Sequence, residues 1–358
     1  MYTIINITIL IRKVVDPMNK QEIQTILSKS EYDFLRNDKR LKNTILLGLG
    51  GSHAYGTNVE GSDLDIRGIA LNSKEEVLLG KDFEQVVNTD LDVTIYSFMK
   101  IVKLLTEANP NTLEILFQRQ EDYIQLTDIG KLLVDNRHLF LTKRCYYTFG
   151  GYARQQLRRL DNKSMRELPQ SGQEQHILNS IKNAEYTFHD KYFNFTDDQI
   201  RLYIDKSDRE DMDTEIFMDL DLQHYPLRDY KCMWMEMHNI VKDYGKLGKR
   251  ASHAITHNKI NKHAMHLVRL MKCCIEILKT GDFSTYREAD HELLMDIRNG
   301  KYMGEDGQMT PEFNKLVESL EKEMDKAFEN TTLPEKPDMQ KINQIVCTVN
   351  EMLIREQI

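Results

Sequence analysis

The stretch that decides the fold is Gly48–Gly68, GLGGSHAYGTNVEGSDLDIRG. It begins at the end of the apolar run TILLGL (Thr44–Leu49), which predicts a buried strand that stops in a glycine turn. The segment Ser62–Leu71 alternates polar and apolar residues and predicts a second strand. Asp63 and Asp65 occupy positions i and i+2 of that strand, so the predicted pleat places both carboxylates on one face of the sheet.

Two neighbouring carboxylates predict a cation site. They repel each other, and their desolvated charge is costly unless a cation compensates it. Oxygen ligands of this kind suit Mg²⁺ or Mn²⁺, which accept substrate phosphates as further ligands. Gly51 and Ser52 supply what those phosphates need, because a glycine allows close backbone approach and a hydroxyl adds a hydrogen bond. The combination is typical of metal-dependent nucleotidyl transfer.

Such a site needs a third carboxylate, which contacts the second metal ion and accepts the proton of the attacking group. A third alternating segment, Leu91–Phe98, predicts another strand and contains Asp92 between two apolar residues. Asp90 lies at the mouth of that strand and is the weaker candidate. Asp92 is therefore the predicted third member.

These residues resemble the DNA polymerase beta superfamily of nucleotidyltransferases, with its Gly-Ser turn, ten intervening residues, Asp-Leu-Asp and a later strand aspartate. More narrowly, GSHAYGTNVEGSDLDIRGI from Gly51, DVTIYSFMK from Asp92 and NPNTLEILF from Asn109 resemble the RNA-repair-associated, polymerase-beta-type nucleotidyltransferases of bacteria and phages. YARQQLRRL from Tyr152 and KHAMHLVRLM from Lys262 fit the same family, so the resemblance covers about residues 44–304.

The resemblance implies a role for each matching residue. Ser52 would hold the triphosphate of an NTP, Asp63 and Asp65 would bind Mg²⁺ or Mn²⁺, and Asp92 would complete the catalytic triad. Arg67 belongs to the narrower pattern, and it is either a phosphate contact or an ordinary ion-pairing arginine. The implied reaction moves a nucleoside monophosphate to an RNA or DNA end, with RNA favoured, and releases pyrophosphate.

The later part of the chain offers basic residues at helical spacing. Lys262, His266 and Arg269 stand at i, i+4 and i+7 and share one helix face. This face is predicted either to contact the nucleotide or nucleic-acid phosphates across the cleft or to form a solvated basic stripe. Arg154 and Arg158, at i and i+4, form a second candidate line of phosphate contacts.

Other polar residues have simpler interpretations. His253 and His257 have the i, i+4 spacing of a zinc pair, but no cysteine or carboxylate nearby completes a ligand set, so zinc is not favoured. Glu114 suits the first turn of a helix, where the dipole favours an acid. Tyr55 is interpreted as a packing residue.

The chain as a whole predicts an α+β fold. A small mixed β-sheet nucleotidyltransferase domain with flanking helices is expected over residues 44–144, followed by a mainly α-helical domain over residues 145–330. Residues 1–43 are expected to form an N-terminal extension and a helix, and residues 331–358 a linker and a C-terminal helix. The acidic segment Asp205–Asp221 is expected to be a solvated loop or helix face.

Composition narrows the function classes. A net charge of −8 over 358 residues excludes a globally basic nucleic-acid binder. No apolar run approaches the ~18 residues of a membrane span, and the first fifteen residues favour an edge strand or dispensable extension over a secretory signal. Five cysteines without ligand or disulfide spacing predict a cytoplasmic, reducing compartment.

Two alternatives stay open: nucleotidylation of a protein or small molecule, and a non-catalytic binding module with the same fold. The presence of all three aspartates favours the enzyme.

Overall fold

The computed structural model describes residue 18 and residues 20–165, 199–206, 214–241, 253–304 and 308–355. The first part of the chain contains α1 (Lys20–Leu27), α2 (Phe34–Asn37), β1 (Thr44–Leu49), α3 (Gly51–Ala54), β2 (Ile66–Ala70), α4 (Lys74–Leu78), β3 (Gln85–Asn88), β4 (Val93–Ser97), α5 (Phe98–Thr106), α6 (Pro110–Leu116), β5 (Tyr123–Leu126) and α7 (Asp128–Asp135). The remainder contains α8 (Arg144–Met165), β6 (Ile200–Lys206), β7 (Thr214–Leu220), α9 (Leu227–Val241), α10 (His253–Thr280), α11 (His291–Arg298), α12 (Pro311–Asn330) and α13 (Met339–Ile354).

Five strands form a mixed sheet in the order β3-β4-β2-β1-β5. The β2 and β4 strands run parallel, with Ile66 opposite Val93, and the other neighbouring strands are antiparallel. The central strands are apolar and almost fully buried, with Leu46, Ile66 and Ile95 inaccessible to solvent. Because β2 and β4 are parallel and start level with each other, the residues that precede them lie at the same end of the sheet.

The chain divides into two compact units. The first contains the described residues of 1–157, 261–302 and 310–358, so it includes the sheet together with most of α10, α11, α12 and α13. The second covers residues 158–260 and 303–309, and its described part contains the β6–β7 hairpin and α9 around a small core of Ile200 and Met233. The predicted domain boundaries at residues 44, 145 and 331 differ from this division, in which α11, α12, α13 and most of α10 belong to the unit of the sheet.

The structure confirms the predicted α+β class, with a mixed sheet and a helical region after it. The β1 strand has the predicted bounds, whereas β2 and β4 begin later than the alternation predicts, at Ile66 and Val93. Residues 205–206 and 214–220 lie in the paired strands β6 and β7, which corrects the interpretation of those residues as a loop or helix face. Arg201, Asp205, Lys206 and Asp219 are exposed on these strands, and such charged residues give the segment the composition of a solvated loop.

Among the residues that the structure describes, no helix has the combined length and apolarity needed to cross a bilayer. The five cysteines are free thiols, with Cys145, Cys273 and Cys274 buried.

Candidate active site

The glycine turn after β1 is built around the carboxylate of Asp65. The Gly50 N–H donates to the Asp65 carbonyl at 2.8 Å, and Gly51 has a φ of +52°. A Cβ at Gly51 would overlap Asp65 Oδ2. Glycine at position 51 therefore serves two purposes, because it adopts the left-handed backbone at little cost and leaves room for the carboxylate.

Two carboxylates meet at the start of the parallel strands. Asp65 precedes β2, Asp92 precedes β4, and their carboxyl groups form a hydrogen bond. Burial, together with the hydrogen bond and negative charge of Asp92, raises the pKa of Asp65 to about 7. The hydrogen bond from Asp65 and the nearby Arg67 lower the pKa of Asp92. The opposite pKa shifts place the two carboxyl groups against each other, in a position where a cation would compensate both.

Arg67 holds Asp92 in place. Its guanidinium donates to the Asp92 carbonyl at 2.6 Å and to Asp92 Oδ1 at 2.8 Å. The Ile66 N–H donates to the same carbonyl at 3.1 Å, so the Asp92 backbone is fixed from β2. Asp92 has a φ of +49°, a conformation that aspartate tolerates better than most residues. Arg67 was interpreted either as a phosphate contact or as an ion-pairing arginine. The structure shows the ion pair with Asp92, and the Arg67 side chain also lines a cavity over the two carboxylates.

A cavity of about 270 Å³ opens over these groups, within the first unit. The predicted site residues that line it are Gly51, Ser52, Asp65, Arg67, Asp92, Lys262, His266 and Arg269. Lys262, His266 and Arg269 all come from one face of α10, as the i, i+4, i+7 spacing predicted. The cavity therefore combines a carboxylate pair with a basic wall.

Asp63 does not join the other two aspartates. It is exposed and is not among the residues that line the cavity. In the described part of the chain, no group of three or more His, Cys, Asp or Glu side chains is placed to hold a metal ion. The structure thus brings two of the three predicted carboxylates into the cavity, and metal binding by Asp63 stays a prediction. The expectation assumed strand alternation from Ser62, but the strand begins at Ile66, and alternation does not hold in the loop before it.

The residues nevertheless fit a hard divalent cation. Asp65 and Asp92 present carboxylate oxygens at one place, and the negative charge of Asp92 helps to raise the pKa of Asp65. Ser52 lines the same cavity and adds a neutral oxygen. Oxygen donors of this kind suit Mg²⁺ or Mn²⁺ better than thiophilic metals.

The charged side chains of the cavity that the sequence did not assign to the site are Glu114 and Arg298. Glu114 lies on α6 three residues after Asn111, which also lines the cavity. The i, i+3 spacing of these two polar residues predicts that they share one helix face, and this could have indicated their common position. Arg298 ends α11 and belongs to no motif, so the local sequence gave no signal. Tyr55 is buried as predicted, and its hydroxyl donates to Glu114 Oε2 at 2.6 Å.

Four residues that the sequence pattern singled out have side chains outside the described part of the chain. The side chains of Arg154, Arg158, His253 and His257 lie outside the described residues, although helices α8 and α10 include their backbone.

Comparison with known proteins agrees with the geometry. Residues 18–348 match the model of RlaP, the RNA repair pathway DNA polymerase beta family. The chain belongs to the RlaP family. Membership confirms the resemblance inferred from the sequence and places the chain among polymerase-beta-type nucleotidyltransferases of RNA repair.

A relative of this RlaP-family chain occurs in a phage. An uncharacterized 38.9 kDa protein of the nrdC-mobD intergenic region of Enterobacteria phage T4 is 22% identical over 323 residues. The alignment covers 83% of this chain and 92% of the phage protein. No solved structure gives a significant match.

Proposed function

We propose that the chain transfers a nucleoside monophosphate from an NTP to an acceptor, most favourably an RNA end, with release of pyrophosphate. The observation that carries this proposal is the cavity in which Asp65 and Asp92 meet beside Arg269 and Lys262. A pair of adjacent carboxylates suits a cation, and a basic wall suits polyphosphate. Family membership supports both the reaction class and the RNA.

The roles follow from the positions of the side chains. Ser52, Lys262 and Arg269 bind the phosphates, and Arg67 keeps Asp92 oriented through its ion pair. Asp65 and Asp92 would hold Mg²⁺ or Mn²⁺, which supplies charge neutralisation at the phosphate and a lower pKa for the attacking hydroxyl. Asp63, which the resemblance includes among the metal ligands, is exposed in the loop before β2, and its role as a ligand stays a prediction.

In the proposed reaction, the acceptor's hydroxyl oxygen forms a bond to the α-phosphorus of the NTP. The bond from that phosphorus to the bridging oxygen breaks, and pyrophosphate leaves with the electron pair. The hydroxyl proton passes to the carboxylate of Asp92. The basic side chains balance the negative charge that accumulates on the departing pyrophosphate.

The test is incubation of the purified chain with each α-labelled NTP, total RNA, and Mg²⁺ or Mn²⁺. We expect label on RNA from at least one NTP, and none with Asp65→Asn. Label on a protein or a small molecule instead would replace RNA as the acceptor. Absence of transfer from every NTP with every acceptor, together with retained nucleotide binding, would identify a non-catalytic module.

A further inference from the structure

One chain of buried contacts connects the glycine turn to the basic wall. We call it the Tyr55 network, and its members are Tyr55, Glu114, Arg269 and His266. Tyr55 directly follows α3, Glu114 belongs to α6, and Arg269 and His266 belong to α10. The network therefore links three elements that each contribute a residue to the cavity.

Arg269 is stacked on Tyr55. The guanidinium carbon lies 3.5 Å from the centroid of the Tyr55 ring, closer than most cation–π pairs require. Tyr55 is only 3% exposed, so this contact is shielded from water. The Tyr55 hydroxyl donates to Glu114 Oε2 at 2.6 Å, which fixes the plane of the ring.

Arg269 is itself 7% exposed, although it carries a permanent charge. Its Nη2 lies 3.3 Å from Nδ1 of His266, and its Nε is buried with no hydrogen-bond partner. Among the described residues, no carboxylate forms an ion pair with it. A buried guanidinium with unused donors is costly unless an anion completes it.

Glu114 supplies part of that compensation from a distance. Burial raises the pKa of Glu114, and the positive charge of Arg269 opposes that increase. Glu114 accepts a hydrogen bond from the Tyr55 hydroxyl, and no hydrogen bond or ion pair joins it to Arg269 in the described part of the chain. It therefore steadies Arg269 through the ring and does not occupy the Arg269 donors. Those donors stay available to a ligand in the cavity that Arg269 and Glu114 both line.

We propose that Tyr55 and Glu114 are positioning residues that hold the Arg269 guanidinium ready for the phosphate chain of the incoming nucleotide. This inference rests on the proposed function, which assigns phosphate binding to Arg269. It adds a physical coupling, because Tyr55 follows the short helix that carries Ser52. A single network thus sets the spacing between two phosphate contacts from distant parts of the chain.

The experiment measures binding of inorganic tripolyphosphate by calorimetry, which needs no knowledge of the preferred base. Tyr55→Phe removes the hydrogen bond to Glu114, and Glu114→Gln removes the negative charge of its acceptor. A net loss of about 0.5–1.5 kcal/mol corresponds to about 2- to 13-fold weaker binding. Arg269→Met should weaken binding more. Tyr123→Phe is the matched control, because Tyr123 is also buried, its hydroxyl donates to the Ile115 carbonyl, and neither residue lines the cavity.

The decisive measurement is the double variant. If Tyr55 acts through Arg269, Tyr55→Phe should have no further effect on tripolyphosphate affinity once Arg269 is Met. In the transfer reaction, Tyr55→Phe and Glu114→Gln should raise KM for the NTP and leave kcat nearly unchanged. Tyr123→Phe should alter neither constant.

The possible failures are distinguishable. If Arg269→Met leaves tripolyphosphate affinity unchanged, phosphate binding by Arg269 is wrong and the proposed function loses this contact. If Arg269→Met weakens binding but Tyr55→Phe and Glu114→Gln do not, the positioning role alone is overturned. A Glu114→Gln variant that lowers kcat at unchanged affinity would also overturn it, because Glu114 would then act on the acceptor. Should Tyr55→Phe fail to fold, Glu114→Gln carries the same test.

Discussion

Gly51→Ala is the sharpest test of how the glycine turn and the carboxylate pair fit together. At Gly51 the substitution meets two separate obstacles, a φ of +52° and a Cβ that overlaps Asp65 Oδ2. The left-handed backbone costs a non-glycine residue about 1–2 kcal/mol. The steric overlap forces Asp65 away from Asp92 and adds about 1–3 kcal/mol, the usual range for overpacking.

Gly80→Ala isolates the first of these costs. Gly80 has a similar φ of +62°, but an added Cβ would meet nothing within 4 Å. We therefore expect Gly80→Ala to lower the free energy of unfolding by about 1–2 kcal/mol and to keep transfer activity. Gly51→Ala should lower it by about 2–5 kcal/mol, the sum of both costs, and abolish transfer.

Urea denaturation with linear extrapolation measures both variants. The background Asp65→Ala removes the overlapping oxygen and leaves the Asp65 Cβ 3.2 Å from the added methyl group, a contact that a small shift relieves. In that background Gly51→Ala should cost about as much as Gly80→Ala, roughly 1–2 kcal/mol. If Gly51→Ala costs no more than Gly80→Ala in the wild-type chain, the carboxylate of Asp65 does not lie over Gly51, and our account of the turn is refuted.

Three further predictions concern the charged residues of the cavity. Asp65→Asn should abolish transfer and, in metal-free buffer, flatten the pH dependence of stability. Because the pKa of Asp65 is raised to about 7, its proton stabilises the folded state fully below pH 3.8, and this stabilisation is lost as the pH rises through 7. Thermal unfolding of both proteins at pH 5 and pH 8 measures the difference. Arg67→Met removes two charge-assisted hydrogen bonds from Asp92 and should lower kcat by about 10- to 100-fold, with a smaller effect on KM in steady-state assays. Lys262→Ala should raise KM for the NTP several-fold with every acceptor. Lys279 is an exposed lysine of the same helix that pairs with Glu323, and Lys279→Ala should not change KM. Equal KM values for the two variants would show that Lys262 is only a solvated surface charge.

Local sequence was sufficient for the parts of the site that depend on neighbours in the chain. The run Thr44–Leu49 is apolar and β-branched at its start, and the strand has those bounds because burial and propensity agree. The spacing of Lys262, His266 and Arg269 placed them on one helix face, since an α-helix has a fixed period. The Gly51–Ser52 turn was equally readable, because the left-handed backbone favours glycine.

The sequence pattern did not determine the residue at which each strand begins, and the predicted position of Asp63 depended on that residue. Alternation in SDLDIRGIAL continues through the loop before β2, but the hydrogen-bonded ladder starts only at Ile66. Pattern alone cannot show where pairing with a partner strand begins, because the partner lies elsewhere in the chain. The expected meeting of Asp63 with Asp65 depended on that boundary.

The remaining features of the site were decided by tertiary structure. Asp92 meets Asp65 because β2 and β4 pair in parallel with Ile66 level with Val93, a register that no local pattern specifies. Glu114 and Arg269 are separated by much of the chain, and their common contact with Tyr55 exists only after α6 and α10 pack in the same unit as the sheet. The sequence by itself determined which residue types are present and which of them repeat with the period of a helix or a strand, since those periods follow from local backbone geometry. Tertiary structure decided which charges became neighbours, because the pKa of Asp65 and the burial of Arg269 depend on groups brought together from distant segments.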